Sequence, residues 1–335
     1  MTGSAGRGRL LRRTLGIALL LLSGGLIPTS GIAAEGAKPV RIGALTDSWG
    51  ASPAVVGLRD GLQELGYREN EHFVIGVRFT QGDVAALPAA ARELVQQGVD
   101  LLFTSNPTAA KAAQMATSRI PIVIAGGEDP VRFGLIESFA RPGGNITGVT
   151  NQDLDLAPKR LEVFREIVPG LKRVLFPYDP TEAFSVAEAK VYRDAARRLG
   201  MVLVEKPVRS QEEAQATLGQ IRKGEVDGIL GPRSLSWNIP GFVLEATSER
   251  AIPTMFPDTW YVEHKGGLAS YGPDFYASGR QAARLVDKII KGANPAGIPV
   301  EVNTKLEFAI SLKVARTLGL TIAPEVLFRA ERVFR

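Results

Sequence analysis

Short apolar runs and helical stretches alternate along most of the chain, most plainly between Asp100 and Pro130. The run Leu101 to Thr104 stops at Ser105-Asn106-Pro107-Thr108, and an alanine-rich segment follows to Arg119. A second run, Ile120 to Ala125, stops at Gly126-Gly127-Glu128-Asp129-Pro130. This order predicts strand, loop, helix, strand, loop, and apolar runs of this length flanked by helix are the mark of a parallel sheet buried on both faces. Asn106 suits an N-cap and Pro107 the first helical position, so the free N–H groups of that helix face the strand's carboxyl end. Ligands of open parallel sheets sit at those ends, and a helix start favours an anionic group. The two loops are therefore the first candidate binding site. Asn106 is at once a cap and a candidate contact, and Gly126-Gly127 is a turn as well as a place for close ligand approach.

The same alternation extends in both directions. Val40 to Leu45 predicts a strand ending in Thr46-Asp47-Ser48-Trp49, and Ser52-Pro53 opens a helix whose Val55, Leu58, Leu62 and Leu65 share a face before Gly66. Phe73 to Thr80 alternates as a strand. Asp83 to Gln97 predicts a helix whose true start Pro88 delays. The edge of this first lobe is expected near Asn151, after the turn-rich segment Ala140 to Val149. A second series follows, with helices expected at Leu161 to Val168, Phe184 to Leu199, Glu212 to Arg222 and Phe242 to Arg250. Its strands are expected at Arg173 to Phe176, Val202 to Glu205, Asp227 to Leu230 and Pro253 to Phe256. Gly267 to Tyr271, the helix Tyr276 to Lys291, the loop Pro295 to Pro299, the strand Phe308 to Ser311 and the helix Leu312 to Leu318 complete the pattern. Strand and helix beyond the second series imply that the chain returns to the first lobe and crosses back, which makes a multi-strand hinge. The expected organisation is a first lobe of 35–150 plus about 275–305 and a second of 151–274 plus about 306–335, each a doubly wound, Rossmann-like α/β unit.

The amino terminus stands apart. Arg7, Arg9, Arg12 and Arg13 precede the apolar run Leu15 to Leu22, which continues through Gly24-Gly25 to Ile27, and Gly31-Ile32-Ala33-Ala34 offers small residues for cleavage. Residues 1–34 read as a secretory signal peptide on the general export route, too short and too glycine-broken to span a membrane. Lys and Arg number 40 against 35 Asp and Glu, a net charge of +5, and losing the four leading arginines leaves +1. Without a basic field, nucleic acid is not an expected partner. Cysteine is absent, which excludes disulfides, thiolate metal sites, a cysteine nucleophile and a lipidated amino-terminal cysteine. A chain of this length can bury a sufficient core without staples.

Three ordered blocks carry a resemblance: Asp129-Pro130-Val131 with Gly134-Leu135; Ala140-Arg141-Pro142-Gly143-Gly144-Asn145-Ile146-Thr147-Gly148-Val149; and Ser270-Tyr271-Gly272-Pro273-Asp274 followed by Gly279-Arg280-Gln281-Ala282-Ala283. From about Val40 to near its end the chain resembles the ABC-transporter substrate-binding proteins that include tryptophan-binding and related aromatic amino-acid-binding members. The resemblance implies a type I periplasmic binding fold, closure of two lobes over one small solute and delivery to an ABC permease at the inner membrane by a periplasmic, unlipidated monomer with no cofactor.

Carried over position by position, the family's ligand loops fall on Thr46 to Trp49, Ser105 to Thr108, Gly126 to Asp129, Tyr178 to Phe184, Gly231 to Ser234 and Asp258 to Tyr261, with Thr46, Asp47, Trp49, Ser105, Asn106, Thr108, Gly127, Glu128, Asp129, Tyr178, Asp179, Phe184, Arg233, Ser234, Asp258 and Tyr261 as the candidate contacts. Two departures stand out: Pro232-Arg233 where many members place an acidic residue after the proline, and Asn106-Pro107 where a Gly/Thr pair is common. Arg233 in the cleft would favour a carboxylate-bearing ligand, an amino acid or an organic acid lacking the amine; equally, it fits a solvated loop arginine. For an amino acid, Asp47, Asp179 or Asp274 is the expected partner of the ammonium, and Trp49, Tyr178, Phe184, Trp237 or Tyr261 the expected packing surface.

Other signals point away from chemistry. His72 and His264 have no partner at metal-ligand spacing, Gly143-Gly144 does not join strand to helix as a dinucleotide loop requires, and no phosphate-loop Gly-Lys-Ser/Thr occurs. Adjacent Glu128 and Asp129 in a turn point apart, and no separate nucleophile accompanies them, so catalysis is not expected. A secreted sensing module for a membrane receptor kinase is the alternative role.

Overall fold

The strand Val40–Thr46 (β1) lies between Phe73–Phe79 (β2) and Leu101–Thr104 (β3), and Ile122–Ala125 (β4), Ile146–Thr150 (β5) and the late, two-residue Glu301–Val302 (β11) extend the sheet beyond β3. All of these pairings are parallel. This computed structural model describes residues 38–48, 52–127, 129–151, 153–222, 224–233 and 250–335. The signal segment 1–34, Trp49, Glu128, Ser234, Trp237 and most of the helix expected at Phe242 to Arg250 lie outside the described residues.

The second sheet runs Arg332–Phe334 (β13), Leu306–Ser311 (β12), Ala269–Pro273 (β10), Thr254–Phe256 (β9), Gly228–Leu230 (β8), Arg173–Tyr178 (β6), Val202–Pro207 (β7). Only β10 with β12 is antiparallel. The molecule is therefore two doubly wound α/β lobes. In each, the first strand sits between the second and third in sequence order, so each sheet has a switch point, between β1 and β3 and between β6 and β8.

Helices cover both faces of the first sheet. Pro53–Glu64 (α1) packs beside the late helix Phe275–Ile290 on one face, through Val55, Leu58, Leu62, Leu285 and Val286. Leu87–Gln96 (α2) and Pro107–Ala116 (α3) cover the other with Leu94, Ala109 and Ala113. Both β3 and β4 are buried at every residue, as the unbroken apolar runs require. Each fully buried Leu, Val or Phe contributes about 1.5–3 kcal/mol relative to exposure. In the second lobe, Asp153–Ile167 (α4), Ala183–Arg198 (α5), Gln211–Gly219 (α6) and Trp260–His264 (α7) precede Phe275–Ile290 (α8) in the chain, and Leu312–Thr317 (α9) and Pro324–Phe328 (α10) follow it.

α1 and α8 touch backbone to backbone. A Cβ added at Gly57 would overlap the Tyr276 carbonyl, and one at Gly279 the Ala54 carbonyl. Only hydrogen fits at these crossings, and this close contact brings Pro53 and Phe275, the first residues of the two helices, to one place.

The chain passes between the sheets after β5, after β10 and after β11, and hydrogen bonds tie the three passages together. Asn303 Nδ2 donates to the Asp274 carbonyl and to Ser278 Oγ, each at 2.8 Å, and Ser278 Oγ donates to Asn151 Oδ1 at 3.1 Å. The Asn303 N–H reaches the Thr150 carbonyl at 2.8 Å.

Two expectations are corrected. Residues 146–149, expected within a turn-rich segment, form the buried strand β5 together with Thr150. Its Gly148 reads as a turn residue, yet here it clears space for the neighbouring strand, since a Cβ would strike the Ile124 carbonyl. The helix expected from Leu161 begins at Asp153 and runs through Pro158. Asp153 and Asp155 in its first turn favour the positive helix end, which offsets part of the hydrogen bond that the proline removes. The short elements β11, α7, α10 and β13 carry too few residues to show a period.

Candidate functional site

Both switch points open onto one cavity of about 430 Å³. From the first sheet come Thr46, the last residue of β1, and Asp47 after it, and Ser105, Asn106 and Thr108, following β3; Gly127 follows β4. From the second come Asp179 and Phe184, following β6, Arg233, following β8, and Asp258, following β9. This is the crevice outside the strand carboxyl ends where open α/β sheets bind ligands.

Local chemistry fixes the first wall. Asn106 caps α3, its Oδ1 accepting the Ala109 N–H at 2.8 Å, while its Nδ2 donates to Asp47 Oδ1 at 2.8 Å. One side chain thus serves as cap and as cavity wall. Ser105 Oγ donates to Thr46 Oγ1, which donates to Ser48 Oγ, both at 3.0 Å. Gly127 has positive φ, and a Cβ there would overlap the Pro107 ring; glycine lets this loop close on the start of α3. Burial pushes the Asp47 carboxyl up, and its hydrogen bonds and nearby Arg233 oppose that only in part.

On the second wall, Asp179 Oδ1 accepts from the Thr181 N–H at 2.8 Å and hydroxyl at 2.6 Å, an Asx-turn that shapes the loop. Asp258, almost fully buried, accepts the Trp260 N–H with Oδ1 at 2.8 Å. Its Oδ2 has no hydrogen-bond partner among the described residues. Burial pushes this carboxyl up to about 6, because the ionised form gives up water and receives little in return.

Behind the cavity lies a buried ionic cluster. Arg160, with no exposed surface, donates from Nε to the Tyr271 carbonyl at 2.6 Å, from Nη1 to the Tyr192 hydroxyl at 2.7 Å and from Nη2 to Asp153 Oδ1 at 2.7 Å. Glu188 Oε1 stands 3.8 Å from Arg160 Nη1. Asp153 Oδ2 lies 3.0 Å from Arg233 Nη1, an ion pair set off the line of a hydrogen bond. The Arg233 guanidinium stacks over the Phe275 ring, 4.4 Å from its centroid. Burial pushes Glu188 up to about 7 despite the neighbouring Arg160.

Four expected site residues stand outside the cavity lining. Asp274 caps α8 by accepting the Ala277 N–H at 2.8 Å, and Asp129 accepts the Val131 and Arg132 N–H groups at 3.0 and 3.3 Å in its own turn. Tyr178 stacks parallel to Phe176, and Tyr261 is buried against Phe256 with centroids 4.6 Å apart. Trp49, Glu128 and Ser234 are outside the described residues. Pro107 and Glu182, inside two of the expected ligand loops, also line the cavity, and Ser52, Pro53, Val84, Phe133 and Phe275 join it from outside those loops. Glu182 and Phe184 flank the start of α5, so the loop after β6 pointed to both. Asp153 and Arg160 precede the helix expected from Leu161, and it is the earlier start at Asp153 that sets the two on one helix.

The lining carries four carboxylates, Asp47, Asp179, Glu182 and Asp258, against one guanidinium, Arg233, and three phenyl rings, Phe133, Phe184 and Phe275. Such a cavity attracts a ligand with a cationic group and an apolar body, and its arginine offers a place for an anionic one.

Known proteins share this architecture. The chain is 28% identical to an ABC domain from Streptococcus pneumonia solved in complex with L-Trp, with a TM-score of 0.77 over 88% of this chain and 100% of that one. A conserved domain protein from Vibrio cholerae is 29% identical, with a TM-score of 0.75 and the same coverage. A tyrosine-binding protein of Clostridioides difficile (strain R20291) is 26% identical over 284 residues, 84% of this chain and 81% of that protein. A 5-methylthioribose transporter solute binding protein from Thermotoga lettingae, 16% identical with a TM-score of 0.55, shares the fold alone. With the family model described as ABC transporter substrate binding protein matching residues 40–334, the chain belongs to that family of substrate-binding proteins.

Proposed function

We propose that the protein captures a free aromatic L-amino acid outside the cytoplasm and delivers it to an ABC permease in the inner membrane, acting as a periplasmic monomer without turning its ligand over. The observation that carries this reading is the balance of the cavity: four carboxylates and one arginine around three phenyl rings. An organic acid lacking the amine would meet a net negative wall, whereas an amino acid brings an ammonium to it. Asp258, with an oxygen that has no partner among the described residues, and Asp47 receive that ammonium. Arg233 receives the carboxylate, and Phe133, Phe184 and Phe275 pack on the ring. Relatives described as binding tyrosine and as complexed with L-Trp support the aromatic class.

A thermal-shift screen of the protein against amino acids, aromatic acids and aliphatic acids tests this. A ligand at about 100 times its Kd adds roughly 2.7 kcal/mol to the folded state. Tyrosine, tryptophan or phenylalanine is expected to raise the melting temperature while the matching acids without the amine do not. A shift with the amine-free acids alone would reject the reading, and so would turnover of the bound amino acid.

A further inference from the structure

The two carboxylates behind the cavity face the same way. Asp153 turns Oδ1 to Arg160 and Oδ2 to the Arg233 guanidinium, at 2.7 and 3.0 Å. Glu188 turns Oε1 toward Arg160 at 3.8 Å and Oε2 toward the Arg233 backbone N–H at 3.4 Å. Each bridges one buried arginine to the arginine of the cavity. Asp153 is 4% exposed, Glu188 2% and Arg160 0%, and none of the three lines the cavity. Phe275 lies against the Arg233 guanidinium from the first lobe. Three contacts thus fix Arg233: a carboxylate on one branch of its fork, a carboxylate on its backbone and a ring against its plane, and Arg160 in turn holds both carboxylates.

Burying two charged pairs does not in itself stabilise a fold, since desolvation offsets most of the attraction. A cluster of this kind gains its use from fixing geometry, and the geometry fixed here is that of the only guanidinium in the described cavity lining. A free arginine loses rotamer freedom on gripping a carboxylate; one already held has given that up before the ligand arrives.

We propose that Asp153 and Glu188, clamped by Arg160, are positioning residues that hold Arg233 ready for the carboxylate of the ligand, and so set the preference for an amino acid over the corresponding amine. The proposal rests on the reading that Arg233 receives the ligand carboxylate. It is tested by calorimetric titration with L-tyrosine and with tyramine, which keeps the ring and the amine and lacks the carboxylate. Wild type is expected to bind L-tyrosine at least about tenfold more tightly than tyramine. Asp153→Asn, close in shape and uncharged, is expected to weaken L-tyrosine about tenfold while leaving tyramine within about twofold, and Glu188→Gln to act in the same direction. Equal loss for both ligands, or no loss for either, overturns the positioning role. Arg233→Met separates the two readings: unchanged L-tyrosine affinity in that variant removes the carboxylate assignment whatever Asp153 does. A ligand-free measurement stands beside these. Nitrogen NMR of the Arg233 guanidinium is expected to give separate Nη signals in wild type, from restricted rotation, and a merged signal in Asp153→Asn. A merged signal in wild type overturns the clamp even if neither ligand binds.

Discussion

Asn106 Nδ2 donates to Asp47 Oδ1 at 2.8 Å, joining the loop after β1 to the helix that follows β3. Because the same side chain caps α3, removing it has two separable effects. Asn106→Ala is expected to cost about 1 kcal/mol of stability through the lost cap and to weaken ligand binding by freeing the Asp47 loop. Asn106→Ser keeps a capping oxygen and loses the reach to Asp47, so it should recover most of the melting temperature but not the affinity. Melting curves and titrations on the two variants check this; full recovery of affinity by serine would rule out the Asp47 contact as a binding determinant.

Binding of an ammonium ligand should strengthen as the pH rises through about 6. Asp258 has its carboxyl raised to about 6 in the free protein, and an ammonium beside it favours the ionised form, so the bound state holds fewer protons and affinity grows until the free group is fully ionised. Titration of L-tyrosine between pH 5 and pH 7.5 should show this rise in wild type and a shallower one in Asp258→Asn, where the raised Asp47 alone is left beside the ammonium. A wild-type profile no steeper than that of the variant would remove Asp258 from the ammonium site.

Fold stability should run the other way with pH. Glu188 is raised to about 7 in the folded protein from an ordinary value of 4.5, so the folded state binds the proton more tightly than the unfolded one. Its contribution is present at low pH and is lost as pH rises from about 4.5 through 7. Asp258 acts in the same direction over a lower window and is mostly titrated by pH 6.5. Between pH 6.5 and pH 7.5, in the absence of ligand, wild type should therefore lose melting temperature where Glu188→Gln loses little. Parallel curves for the two proteins would count against a raised Glu188.

Gly279→Ala should be strongly destabilising, by about 2–4 kcal/mol, because its Cβ would overlap the Ala54 carbonyl and drive α8 off α1. Gly297→Ala, with open space around the added carbon and negative φ in a surface turn, is the control and should change stability by less than about 0.5 kcal/mol. Chemical denaturation of both variants measures the difference. Since Pro53 and Phe275 border the cavity at the ends of these two helices, the first variant should also lose affinity.

What the sequence disclosed follows from the range of each signal. The strands β3 and β4 and the helix capped by Asn106 declare themselves within a few residues, through unbroken apolar runs and a capping pair, and the carboxyl-end loops then locate the cavity. Ten of the expected contact residues line it. Asp274 reads as a charge near a ligand motif, but a helix opens directly after it and takes the carboxylate as a cap. Tyr261 reads as a packing surface for a ligand and packs instead on Phe256. Phe275 was missed because its place depends on the contact of α8 with α1, about 220 residues apart in the chain, and Arg160 because a buried arginine and a solvated one look alike until the partners arrive from other elements.

The glycine contact between α1 and α8 also bears on the order in which the protein can be made. α1 is among the first elements synthesised, while α8 and β11 are among the last. Until residue 275 and beyond has left the ribosome, Val55, Leu58 and Leu62 have no covering helix, and the first sheet lacks its far edge. Contacts of such long sequence separation form late and slowly. The first lobe therefore cannot complete itself as an early folding unit, in contrast to the usual order of amino-terminal domains. A nascent chain halted before residue 275 would carry an uncovered apolar stripe, a substrate for chaperones rather than half of a finished protein.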